Sequence, residues 1–139
     1  MTFQIFSNDS KLLSIASEAT LQGWSFSKQR LEVDLLTVDD NELVISIYTD
    51  AIQSSPLYLN ENLNICSMSV HHVCEILSIK NGYYIPPEGF HEIMKLSSKN
   101  LSMFYGRKDD YKYAVSFSGY DNYITCPIKK LADITWLVR

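Results

Sequence analysis

The strongest constraint on the fold is a stretch of alternating apolar and polar residues between positions 31 and 48. In residues 31–35 apolar side chains take every second position with acidic side chains between them, and the same period returns in residues 43–47. A period of two is typical of a β-strand with one buried and one exposed face. The stretch therefore predicts two antiparallel strands joined by a short loop at residues 39–41.

A three-residue loop at positions 39–41 also predicts the register of this hairpin. The predicted pairs are Leu35 with Ile45, Val33 with Ile47, Asp34 with Ser46 and Glu32 with Tyr48. The first two pairs lie on the buried face and the last two on the exposed face. A slip by one residue would bury the acidic side chains, at a cost of several kcal/mol each.

The hairpin belongs to a long acidic part of the chain. The 49 residues between Arg30 and Lys80 contain eight acidic side chains and no Lys or Arg, and the whole chain has a net charge of −4. Because phosphates attract Lys and Arg, this balance argues against binding to nucleic acid. It favours a basic partner, which acidic side chains attract over a distance.

The remaining periodicity predicts a single α+β domain over residues 1–139. A first helix is expected within residues 7–24, ended by Gly23, and a second within residues 86–101. Strands are expected in 63–85 with a turn at Asn81-Gly82, as a meander in 101–126, and after a turn of helix in 127–139. The predicted fold is a mostly antiparallel sheet with two or three helices packed on one face.

Several classes of protein are disfavoured by what the sequence lacks. No apolar run approaches the roughly 18 residues of a membrane span, and the first residues do not resemble a secretion signal. We therefore expect a cytoplasmic protein that does not bind a membrane. Cys66, Cys74 and Cys126 have no paired spacing, which favours reduced thiols. Nucleotide-binding and hydrolase motifs are absent, so no cofactor is expected.

The function that we favour is a non-catalytic protein that binds and inhibits a basic partner. A toxin nuclease is such a partner, because its active site must attract phosphate. The small, acidic, cysteine-poor chain is similar in size and charge to bacterial immunity proteins that block such toxins. The predicted partner-binding residues are Glu32, Asp34, Asp39, Asp40, Tyr48 and Asp50, in which the acids pair with basic groups and the tyrosine anchors the contact.

The alternative is a small enzyme or zinc-binding domain centred on His71, His72, Cys74 and His91. On a strand, His72 and Cys74 share one face and His71 the other. Two ligands on a face do not complete a tetrahedral zinc site, so Cys66 or His91 would have to join them. Cys74 with His72 as its base would instead form an activated nucleophile.

A third interpretation concerns the aromatic strand of the meander. Tyr111 and Tyr113 share a face with Val115 and Phe117, and this face could form a homodimer interface. The sequence alone does not distinguish an interface from a core strand, and the oligomeric state is left open.

Overall fold

The computed structural model describes residues 2–54, 65–72, 79–80, 83–84, 94–95, 111–119 and 123–139. Within these ranges the strands are β1 Gln4–Ile5, β2 Ala19–Ser27, β3 Arg30–Leu36, β4 Glu42–Tyr48, β5 Gln53–Ser54, β6 Ile65–His72, β7 Ile79–Lys80, β8 Tyr83–Tyr84, β9 Met94–Lys95, β10 Tyr113–Gly119, β11 Tyr123–Ile128 and β12 Ile134–Val138. The helical elements of the same ranges are α1, Leu12–Ile15, and a 3₁₀ helix, Leu131–Asp133.

Nine of these strands form one sheet, in the order β1-β12-β4-β3-β2-β6-β10-β11-β5, and β7-β8-β9 form a second, small sheet. All of the pairings are antiparallel. The predicted α+β class is therefore wrong, because the part of the chain that the structure describes is almost entirely antiparallel sheet. In that part, no helix is long and apolar enough to cross a membrane.

The first predicted helix is reduced to the single turn of α1. The stripe that suggested it is real, because Leu12, Ala16 and Ala19 are all fully buried. However, Glu18 has a positive φ of 54°, which turns the chain out of the helix, and Ala19 already begins β2. Three or four apolar positions fit one helical turn followed by a strand as well as they fit a longer helix.

A β-bulge explains why the sequence pattern did not predict strand β2. Leu21 pairs with Leu35 and Gly23 with Asp34, so Gln22 is an extra residue without a counterpart on β3. The extra residue reverses the alternation, and inward positions change from odd numbers before the bulge to even numbers after it. Leu21 is buried, whereas Trp24 and Phe26 are the residues that pack against the core farther along. Gly23, predicted to end a helix, lies within this strand.

The hairpin of β3 and β4 is confirmed, but its predicted register is wrong by two residues. The observed pairs on the core side are Leu35 with Leu43, Val33 with Ile45 and Leu31 with Ile47. On the other side Asp34 pairs with Val44, Glu32 with Ser46 and Arg30 with Tyr48. Because a shift by two preserves the alternation, the division between buried and exposed residues is as predicted.

The register differs because the loop is centred one residue earlier than predicted. Thr37 N donates to Asn41 O at 2.9 Å, and Asp40 N donates to Thr37 O at the same distance. The three loop residues are therefore 38–40, with Asp40 in the left-handed region at φ 62°. This is the common three-residue hairpin loop, a turn followed by one left-handed residue.

The long sheet curls around one apolar core. Its fully buried large side chains are Leu12, Leu31, Val33, Leu35, Leu43, Ile45, Ile47, Val115, Ile124, Ile128 and Ile134. Thr49, just after β4, brings two distant parts of the sheet together, because its Oγ1 donates to Pro127 O of β11 at 2.7 Å. Ala51 O, at 3.1 Å, is a second acceptor for the same proton. The end of β4 therefore meets β11, five places away in the strand order.

Several smaller predictions have clear outcomes. The hairpin of β10 and β11 and the order of 3₁₀ helix and strand in the tail are confirmed. Of the second predicted helix the structure describes Met94–Lys95, and these form a strand. Lys80 pairs with Tyr83 on the neighbouring strand. The predicted turn residues 81–82 lie outside the described ranges. So do the other residues of the second predicted helix and the first predicted strand of the meander.

Candidate partner-binding surface

The outer face of the sheet is the side of β1, β12, β4, β3 and β2 that points away from the core. On β3 it carries Arg30, Glu32 and Asp34, and on β4 it carries Glu42, Val44, Ser46 and Tyr48. Glu32, Asp34 and Glu42 are exposed. Alternation along two paired strands therefore places three carboxylates together on one side.

The carboxylates of this face have no partner among the described residues. Glu32 and Asp34, and likewise Asp39, Asp40 and Glu42, make no side-chain hydrogen bond or ion pair within that part of the chain. Their negative charge is directed to solvent, and no Lys or Arg of the same ranges forms an ion pair with them. Such groups can meet a basic partner without first breaking an internal ion pair.

Two arginines also lie on the outer face, which sequence reasoning missed. Arg30 Nη1 donates to Ser46 Oγ at 2.6 Å, and Ser46 is opposite Glu32. Arg139 is placed beside Glu42 because its backbone N donates to Glu42 O at 2.8 Å. The face is therefore a mixed pattern with an acidic excess rather than a purely acidic one. Arg30 pairs with Tyr48, which the predicted register did not show because it is wrong by two residues.

A cleft lies within the acidic part of the face. Its lining includes Asp34, Glu42, Val44 and Arg139. Gln22, the bulge residue of β2, forms another part of the wall. Gly23 leaves open space next to this site, since a Cβ atom added there would meet no atom within 4 Å. The bulge and the glycine thus open the face beside Asp34.

The two other predicted pairs lie at opposite ends of the hairpin. Asp39 and Asp40 are exposed at the tip of the β3–β4 loop. Tyr48 and Asp50 lie at the other end, about 20 Å away at the usual rise of a β-strand. The six predicted residues therefore do not form one cluster. A single partner can still cover them, because an interface of ordinary size is about 30 Å across.

Tyr48 and Asp50 line a second cleft. The Tyr48 hydroxyl donates to Gln29 Oε1 at 2.9 Å, although half of the Tyr48 side chain remains exposed. The Tyr111 hydroxyl donates to Asp50 Oδ1 at 2.5 Å. Tyr111 is buried, 4% exposed, so it is part of the fold and does not offer the free aromatic surface that a homodimer would need. Tyr113 packs against the core.

The histidine and cysteine residues that the structure describes do not form the site that the alternative interpretation requires. His71 and His72 point to opposite faces of β6, as predicted, and the His72 ring packs against Tyr113 with centroids 4.7 Å apart. Cys66 is a buried core residue. Among the described residues no group of three or more metal-ligating side chains comes together; Cys74 and His91 lie outside them.

Burial also makes the described thiols poor nucleophiles. Desolvation raises the pKa of Cys66 from 9.0 to about 11. For Cys126, which is fully buried, desolvation raises the pKa further, and a hydrogen bond with Thr49 opposes this only in part. Both thiols are protonated at neutral pH, and only the thiolate is reactive. The described part of the chain therefore gives no support to the zinc or thiol alternative.

Comparison with known proteins complements this geometry. No model of a known protein family matches the chain, and no solved structure matches it. The immunity protein RhsIC of Dickeya dadantii (strain 3937) is 56% identical over 140 residues, which cover the full length of both chains. The prediction of a bacterial immunity protein is thereby confirmed. The protein belongs to the family of bacterial immunity proteins that includes RhsIC.

Proposed function

We propose that this immunity protein neutralises its toxin by binding a basic surface of the toxin with the outer face of the β3–β4 hairpin. The observation that carries the proposal is the set of exposed carboxylates on that face, above all Glu32 and Asp34, that have no partner in the described ranges. The proposal requires no catalysis, because tight occupation of the toxin's surface is sufficient.

In this complex, electrostatic steering brings the toxin to the outer face, and local contacts then anchor it. Like-charged carboxylates on a stiff sheet attract a basic surface before contact and raise the association rate by about 10- to 1,000-fold at low salt. Asp39 and Asp40 extend this field to the hairpin tip. Tyr48, 51% exposed, offers ring area that can become buried in the complex. Arg30 and Arg139 would disfavour partners whose charges do not match the pattern.

We further propose that the toxin is a nuclease and that the complex forms in the cytoplasm. A nuclease must hold phosphate, so its active site is basic, and an acidic protein surface can occupy the same site. The acidic excess of the hairpin supports this choice over a toxin with an acidic or apolar active site. Asp50 stays in the proposed contact set because it is exposed, although Tyr111 already holds one of its oxygens.

The test is co-purification with the toxin, followed by protection of cells that express it. The informative variant is E32K/D34K, which reverses two charges on the outer face. The matched control is D9K/E18K, which makes the same change in net charge at exposed residues near α1. We expect the wild type and D9K/E18K to retain the toxin and protect cells, and E32K/D34K to lose both properties at moderate salt.

Two results would contradict the proposal. If E32K/D34K folds, binds and protects as well as the wild type, the outer face of the β3–β4 hairpin is not the binding surface. If both double variants lose binding equally, the effect is one of net charge and not of this face. A toxin that has no nuclease activity after it is separated from the immunity protein would leave the binding face in place but reject the nuclease assignment.

A further inference from the structure

The outer face has an apolar end as well as an acidic one. Ile5 on β1 is 64% exposed, and Phe3, two residues earlier, is 41% exposed. Ile5 pairs with Thr135 of β12, and Thr135 pairs with Ser46 of β4. Because directly paired residues project from the same side of a sheet, Ile5 shares the side of Ser46 and Glu32.

These residues form one row across four neighbouring strands. The row runs from Ile5 through Thr135 and Ser46 to Glu32, and each step is a registered pair. Thr135 Oγ1 donates to Ser46 O at 3.3 Å, which ties the middle of the row together. With strands about 4.8 Å apart, three steps separate Ile5 from Glu32 by about 14 Å.

A single exposed isoleucine is ordinary in a soluble protein. Ile5 differs in its position, because it lies on the same side as the carboxylates of β3 and as the half-exposed Tyr48. Between the two ends lie Thr135, which is half-buried, and Ser46, which is buried and accepts a hydrogen bond from Arg30 Nη1. Interfaces commonly combine apolar anchors with charged groups around them.

We infer that Ile5 and Phe3 form the apolar part of the surface that binds the toxin. This inference rests on the proposed function and specifies the partner further. The matching surface of the toxin carries an apolar side chain about 14 Å from the Lys or Arg that meets Glu32. Steering depends on the acids, whereas the lifetime of the complex depends on Ile5.

The test separates these two contributions kinetically. The probe is the toxin purified through its complex with the wild-type chain, and the variant is I5S. Loss of a buried apolar contact acts on dissociation. We therefore expect I5S to dissociate about 10-fold faster than the wild type and to associate at the same rate. The ratio of the two dissociation rates should be the same at low and moderate salt.

The matched control is I65S. Ile65 of β6 is 53% exposed, and five strand spacings separate β6 from β1 in the sheet. We expect I65S to bind within about twofold of the wild type, since it lies far from the proposed contact. F3A provides a second variant with the same expected direction as I5S, and thermal unfolding of each variant reports whether the fold is retained.

The outcomes distinguish this inference from the function on which it rests. If folded I5S and F3A dissociate like I65S while E32K/D34K associates slowly, the apolar contact is rejected and the acidic face stands. If I5S binds weakly while E32K/D34K binds normally, the toxin contacts the apolar end without the acids. The inference that Ile5 and Glu32 belong to one binding surface then fails, and so does the electrostatic proposal. Slow association of I5S with normal dissociation would also overturn the inference.

Discussion

At the scale of single residues, the alternation of the hairpin was the most informative feature of the sequence. Leu31, Val33 and Leu35 are buried, and Glu32 and Asp34 between them are exposed, as predicted. What the sequence could not reveal is how side chains from distant positions combine. Arg30 marked the edge of the acidic stretch in the sequence, yet in space it bonds to Ser46 in the middle of the outer face.

The buried cysteines lead to a prediction about stability at alkaline pH. The unfolded thiol ionises near 9.0, whereas Cys66 in the fold ionises near 11 and Cys126 higher still. A raised folded pKa means that the stabilisation is complete below pH 9 and is lost as the pH rises toward and through the folded pKa. Each thiol should lower the free energy of unfolding by up to about 1.4 kcal/mol per pH unit in this window.

This loss of stability is measured by denaturant unfolding of the wild type and of C66A/C126A between pH 7 and pH 11. The range spans the ordinary pKa of 9.0 and the raised pKa of about 11. The variant loses core packing and is less stable throughout, but its stability should fall less steeply above pH 9. Parallel slopes for the two proteins would show that these thiols are not protected by burial.

At the scale of elements, the sequence predicted strands well where the period of two was unbroken and failed where local geometry broke it. The bulge at Gln22 shifted the phase of β2, and the positive φ of Glu18 ended a helix that the apolar stripe had extended. Neither Gln22 nor Glu18 is a residue type that marks such a feature in a sequence, because neither is glycine. The hairpin loop was misplaced by one residue for the same reason, because Asp40 takes the left-handed position.

This loop offers a matched pair of substitutions. Asp40 has a φ of 62°, and Asp39 is not among the residues with positive φ. Glycine is favoured at a left-handed position and costs conformational entropy elsewhere. D40G should therefore raise the free energy of unfolding by about 0.5–1 kcal/mol, and D39G should lower it by a similar amount.

Urea unfolding of both variants measures the difference, and the equal loss of one negative charge in each removes electrostatics from the comparison. If D40G did not stabilise the fold and N41G did, the left-handed residue would be Asn41, the loop would lie where the sequence suggested, at residues 39–41, and the observed register would be wrong.

At the scale of the whole molecule, a buried side chain that carries no sequence signal holds distant parts of the curled sheet together. Thr49 is 3% exposed, and its hydroxyl joins the end of β4 to Pro127 of β11. Sequence patterns report the period within one strand and not which strands meet. The predicted α+β class was wrong because the first predicted helix is a single turn and the described residues of the second form a strand. The predicted immunity function, which depended on surface charge and size, was confirmed by the relationship to RhsIC.

We expect T49V to lower the free energy of unfolding by about 1–3 kcal/mol, because it keeps the shape of the side chain and leaves a buried carbonyl without this donor. T49S keeps the hydroxyl and should lose only about 0.8 kcal/mol for one methyl group. Equilibrium unfolding measures the free energy of unfolding of the two variants. An equal loss of stability in both would show that the Thr49 hydroxyl does not stabilise the contact between the end of β4 and β11.

Binding of the toxin by the outer face of the β3–β4 hairpin is best tested by the rate at which the protein associates with its toxin, measured at low and moderate salt. We expect the wild type and D9K/E18K to associate fast and to slow down steeply as the salt concentration rises. E32K/D34K should associate about 10-fold more slowly, or slower still, at low salt and depend little on salt. An E32K/D34K rate that equals the wild-type rate at both salt concentrations would show that the outer face of the β3–β4 hairpin does not meet the toxin.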